Sequence, residues 1–138
     1  MSACRFVDML SSSLVDKTKG MHKLEDLRVW ADARVFVVAI YKIMADYRDY
    51  GFKDQIQRAV VSIMNNIAEG LEYGSDVQFV RYLRIAAGSC SEVKSMLYLY
   101  SDLNYCTVEY RDKLLNDLYL ISTSIHRLIS YLSKEKNN

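Results

Sequence analysis

The stretch SIMNNIAEG (62–70) sets Ser62, Asn65, Asn66 and Glu69 among apolar residues and closes on Gly70. Hydroxyls, amides and a carboxylate in one short run supply hydrogen-bond donors and acceptors, and Glu69 is of a type that serves as a general base. Catalysis would need more than this. A serine nucleophile needs a base within reach, yet His22 and His126 both lie far along the chain from Ser62 and Ser89. The positions three and four residues from His126 include Ser122, Ile129 and Ser130, which supply neither a metal ligand nor a carboxylate. Di-iron helical bundles carry inward-facing Glu-x-x-His pairs, and none occurs here. The phosphate-cradling patterns GxxxxGK[ST] and GxGxxG are also missing. Cys4, Cys90 and Cys106 are odd in number and lack CxxC spacing, against both a disulfide framework and a zinc site. Cys90 sits among apolar neighbours and reads as a small core residue. The expectation is a protein that is not an enzyme, holds no cofactor or metal, and works in a reducing, cytoplasmic compartment.

Binding chemistry remains. On a helix, Arg58, Ser62, Asn65 and Glu69 fall on one line at i, i+4, i+7 and i+11, with Asn66 beside it. Such a ridge at the edge of an apolar face specifies packing through hydrogen bonds to a neighbouring element. The expected structural polar network is Ser62, Asn65, Asn66, Glu69, Ser89 and Glu92. Arg81, Arg84 and Lys94 form a modest basic ridge, and with Arg58 they are the candidates for contact with nucleic acid. Tyr98, Tyr100, Tyr105 and Tyr110, among 11 tyrosines, lie close by in sequence. Aromatics interleaved with cations hold single-stranded nucleic acid by stacking; tyrosine equally suits half-wet positions at subunit interfaces. The net charge of +1, from 18 basic and 17 acidic residues, is far from the basic balance of a typical nucleic-acid binder.

The elements that must carry these residues follow from apolar periodicity. With no proline and 5 glycines in 138 residues, long helices and a single domain are expected. The first helix is read over 24–48, with Trp30, Val37, Tyr41 and Met44 on one stripe and Val29, Ala33, Phe36, Ile40, Ile43 and Tyr47 on a second. Two stripes make an apolar face wider than one bundle seam needs. Gly51 marks the following turn. The second helix is read over 53–70, with Ile56, Val60, Ile63, Ile67 and Leu71 inward and Gly70 as its stop. The third starts after Ser75, whose spacing to Gln78 is that of a capping box. Its AAGSCS stretch (86–91) predicts a close helix crossing at Gly88. The fourth follows Thr107, and Leu114, Leu118, Ile121, Ile125, Leu128 and Leu132 hold a heptad spacing without exception. Short connections and this spacing predict an all-α fold: a left-handed, up-and-down antiparallel four-helix bundle over 21–138. Residues 1–20 read as a loosely ordered extension, without the basic start and apolar run of a signal peptide. No apolar run approaches the ~20 residues that span a bilayer, so no membrane partner is expected.

The runs LEDLRVW (24–30), QIQRAVVSIMNNIAEG (55–70) and FVRYLRIAAGSCSEV (79–93), in this order and spacing, resemble the four-helix-bundle family encoded in intervening sequences of bacterial 23S rRNA genes. The resemblance runs from about Met21 to the end. Arg58, Ser62, Ile63, Asn66, Ile67, Ala68, Glu69, Gly70, Arg81, Gly88, Ser89 and Glu92 match its signature. Met64 stands where that family commonly has proline, which makes the second helix look more regular. The resemblance implies a cytoplasmic bacterial protein and a homopentamer, and the two stripes of the first helix agree with self-assembly. A related group, the accessory proteins of diversity-generating retroelements, has the same bundle, is pentameric and binds nucleic acid and a reverse transcriptase. Two functions are therefore expected as alternatives: an oligomeric adaptor for RNA, DNA or a ribonucleoprotein, or an oligomeric protein-interaction or structural module without nucleic acid.

Overall fold

The computed structural model describes residues 23–134. The expected extension over 1–20 and the end of the polar tail lie outside the described residues. Among the described residues there are four helices and no strand: α1 (Arg28–Met44), α2 (Tyr50–Glu72), α3 (Asp76–Asp102) and α4 (Val108–Lys134), with a single 3-10 turn, Leu24–Asp26, ahead of α1.

Each boundary has a local cause. Asp49 accepts a hydrogen bond from the Phe52 N–H at 3.2 Å and so starts α2. This places Gly51 inside the first turn of α2 rather than in the connection, and shortens the helix expected over 24–48. Gly70 is not the stop for α2 either. The helix runs on to Glu72, and Gly74, at φ +72°, takes the left-handed conformation that ends it. Ser75 Oγ accepts from the Gln78 N–H at 3.3 Å, and Thr107 Oγ1 accepts from the Tyr110 N–H at 3.2 Å, as their positions predict. At the end of α3, Asn104 has φ 58°. The Tyr105 N–H reaches the Tyr100 carbonyl at 3.1 Å and the Asn104 N–H reaches Ser101 at 2.9 Å. These are the two bonds of a Schellman motif, with asparagine in glycine's usual place.

The core follows the stripes. All six heptad residues of α4 are buried, as are Ile56, Val60, Ile63 and Ile67 of α2 and Phe79, Leu83, Ala86, Cys90, Val93 and Leu97 of α3. On α1 the two stripes separate. Val29, Ala33, Phe36, Ile40 and Met44 enter the core, so Met44 belongs to the inner stripe and not to the one expected from its spacing. Trp30 and Val37 are partly buried, while Val38 and Tyr41 stand 46% and 44% exposed. α2 packs most extensively on α3, and of the neighbouring helix pairs α1 and α4 meet least.

Gly70 has a second role. A Cβ built on it would lie 2.8 Å from Tyr82 Cβ and 3.3 Å from the Phe79 ring, so glycine is what lets α3 approach α2 here. The close crossing expected at Gly88 is not there: Gly88 is exposed and a Cβ on it would meet nothing within 4 Å. Small residues next to it, Ala86, Ser89 and Cys90, are the ones turned inward.

Candidate functional site

Ser62 on α2 and Ser89 on α3 face each other across this tight pair, Oγ to Oγ at 2.8 Å. The Asn66 amide donates to the Ser62 carbonyl at 2.8 Å and to Ser62 Oγ at 3.0 Å. Ser89 Oγ donates back to the Ile85 carbonyl at 3.3 Å. Each hydroxyl has one proton, so the direction of the whole chain is fixed. Asn66 donates to Ser62, Ser62 donates to Ser89, and Ser89 ends the relay on a backbone oxygen. Every member is neutral and none is a base. The relay holds two helices in register; it cannot activate a nucleophile.

The other members expected of this network stand apart from it. Asn65, Glu69 and Glu92 are exposed on the outer sides of α2 and α3. Of the cationic candidates, Arg58 is paired with Asp54 at 2.9 Å across one exposed helical turn. Arg81, Arg84 and Lys94 are exposed on α3. Arg81 and Arg84 are neighbours three residues apart, and Lys94 lies nearly three turns further on and to one side.

A second polar cluster joins residues far apart in sequence at one end of the molecule. Tyr47 Oη donates to the Tyr105 carbonyl at 2.6 Å and lies 2.7 Å from Tyr100 Oη. With its own proton committed, Tyr47 accepts from Tyr100. The Tyr105 hydroxyl donates to Asp49 Oδ2 at 2.9 Å, while Asp49 Oδ1 caps α2. Phe52 stacks on Tyr100 with centroids 5.7 Å apart. Burial and the bond to Tyr47 hold the Tyr100 hydroxyl far above the usual tyrosine range, and the bond to Asp49 raises that of Tyr105. The connections α1–α2 and α3–α4 are thereby clasped together. Close by, the Arg111 guanidinium lies over the Tyr98 ring at 4.9 Å and donates to Ser101 Oγ at 2.9 Å.

Buried ionisable groups are few. Asp32 on α1 is 6% exposed, its Oδ1 3.5 Å from Arg28 Nε and its Oδ2 without a hydrogen-bond partner. Burial pushes its carboxyl from the ordinary 3.8 up to about 6, against the pull of Arg28. Burial likewise raises Asp117 on α4 and pushes the Cys90 thiol up to about 12, so Cys90 is a packing residue and no nucleophile. Among the described residues no group of three or more His, Cys, Asp or Glu could hold a metal ion. No described helix is long and apolar enough to cross a membrane.

Residues 25–127 match the family described as 23S rRNA-intervening sequence protein. The chain belongs to that family. Gly70 and the Ser62–Asn66–Ser89 relay both lie where α2 and α3 meet. A crystal structure at 1.70 Å resolution of a protein of unknown function, from the S23 ribosomal protein family of Bacteroides thetaiotaomicron, is similar in fold, with a TM-score of 0.68 and 28% identity over 73% of this chain and 97% of that chain. No curated protein is significantly similar.

Proposed function

We propose that this member of the family is a non-catalytic adaptor: a left-handed, up-and-down antiparallel four-helix bundle that assembles into a homopentamer and engages RNA, DNA or a ribonucleoprotein in the cytoplasm. The observation that carries the assembly is the outer stripe of α1. Val38 and Tyr41 stay exposed beside the half-covered Trp30 and Val37, an apolar strip that a second copy would remove from water. The antiparallel hand of α2 and α3 is supported by contacts that pair Ser62 with Ser89 and Gly70 with Phe79 and Tyr82. The anionic partner is supported by Arg84 and Lys94, exposed on α3, and by the family's tie to 23S rRNA. Free thiols at Cys90 and Cys106 fit a reducing compartment.

Two measurements test this. Sedimentation should give a mass that is a multiple of five chains, and Tyr41→Glu should remove that five-fold unit. Binding to a structured 23S rRNA fragment should weaken steeply with salt, as neutralised phosphates recover their counterions. A second reading, a protein-interaction module without nucleic acid, is favoured by the charge balance and by the exposed Tyr50, Tyr73, Tyr98 and Tyr119. An assembly that binds neither RNA nor DNA at low ionic strength would select it.

A further inference from the structure

The outer face of α3 carries a pattern that the protomer does not use. Arg81, Ile85, Gly88 and Glu92 share that face in alternating steps of four, three and four residues, the spacing of a helix-pairing seam, and all four are exposed. Ile85 is 46% exposed, and Val77 and Leu99 extend the line at 61% and 42%. Arg81 and Glu92 belong to none of the ion pairs among the described residues. Neither has an opposite charge three or four residues away on its own helix: Arg81 has Val77, Gln78, Arg84 and Ile85, and Glu92 has Gly88, Ser89, Ser95 and Met96. Gly88 has open space in front of it. Glycine in mid-helix weakens the helix, and no neighbour within the protomer requires it at this position.

The run is self-complementary. Its steps read the same from either end, with a cation at one end, an anion at the other, a large apolar side chain and a vacant glycine between them. An isologous contact places residue i on j and j on i. Turned about a two-fold axis level with residues 86–87, Arg81 falls opposite the second copy's Glu92 and Ile85 opposite the second copy's Gly88, twice over. We propose that this face of α3 docks a second copy of the chain, α3 against α3 in antiparallel register, with Ile85 seated at the second copy's Gly88 and two Arg81–Glu92 pairs closing the ends. The contact is separate from the α1 strip and pairs whatever unit that strip builds. Arg84 and Lys94 lie off the line and stay free for an anionic partner.

The test is sedimentation of the full chain over a dilution series, with circular dichroism to confirm helicity. Arg81→Glu and Glu92→Arg each bring like charges together twice per contact, and each should weaken pairing by at least about ten-fold. The double exchange Arg81→Glu/Glu92→Arg should restore it. Gly88→Leu, whose Cβ meets nothing within 4 Å in the protomer, should abolish pairing with helicity intact. Unchanged mass in the single variants and in Gly88→Leu overturns the proposal, as does a double exchange that fails to restore. So does the signature of nucleic acid on this face: Arg81→Glu weakening RNA binding and Glu92→Arg strengthening it with mass unaltered. Tyr41→Glu altering the mass while these variants do not leaves the α1 assembly standing and removes the α3 contact alone.

Discussion

Asp32 is the residue whose environment most opposes its chemistry. Its carboxyl is nearly enclosed, one oxygen has no partner, and its pKa stands at about 6 instead of 3.8. A folded-state pKa raised above the unfolded value means that the folded chain holds the proton more tightly. The associated stability is fully present below pH 3.8 and is lost as pH rises through about 6. Relative to wild type, Asp32→Asn should therefore gain about 2 kcal/mol between pH 4 and pH 7, the part of the shift that falls in that window expressed as free energy. Urea titrations of both proteins at the two pH values measure it, and a pH-independent difference would count against the assignment. The hydroxyl relay makes a different prediction. Ser62→Ala removes one neutral link and should destabilise by about 1 kcal/mol. With Ser89→Ala the two losses should sum to less than their separate values, because both variants break the same bond. Residue types told of a polar seam between α2 and α3, and Ser62, Asn66 and Ser89 form one. They did not tell which polar residues near it join. Asn65 and Glu69 flank the same seam in sequence, and both are exposed.

At the scale of the element, periodicity was readable where it was redundant. Six heptad positions on α4 repeat one message, and all six are buried. Glycines carry a single letter with several meanings, and there the reading failed at Gly51, Gly70 and Gly88. Gly51 lies in a helix start, Gly70 at a helix contact, Gly74 at a helix stop and Gly88 on an open face. What separates them is the neighbour across the gap, which local sequence does not contain. Two substitutions make the distinction measurable. Gly70→Ala forces a methyl to within 2.8 Å of Tyr82 Cβ and should destabilise by about 1–3 kcal/mol through overpacking. Gly88→Ala meets nothing and should stabilise the isolated protomer by up to about 1 kcal/mol through helix propensity. Thermal melts of the two variants should move in opposite directions.

Across the whole molecule, the tyrosine clasp at Tyr47, Tyr100 and Tyr105 was the feature least legible in advance. Its bonds join positions 53, 56 and 58 residues apart, and no window of sequence shows such partners together. Tyr47→Phe leaves the Tyr105 carbonyl and the Tyr100 hydroxyl each short of a partner in a half-buried site, a loss of about 1–3 kcal/mol. Amide exchange should quicken most where the two connections meet, and uniform acceleration along all four helices would argue against the clasp. The clasp also makes the two ends of the bundle unequal. Both inter-helix connections it joins lie at one end, so Arg28 at the start of α1 and Lys134 at the end of α4 lie toward the other, on the neighbouring helices with the least contact. Tension applied between those residues would peel α1 from α4 one turn at a time, at low force, and would stall on reaching the tyrosines.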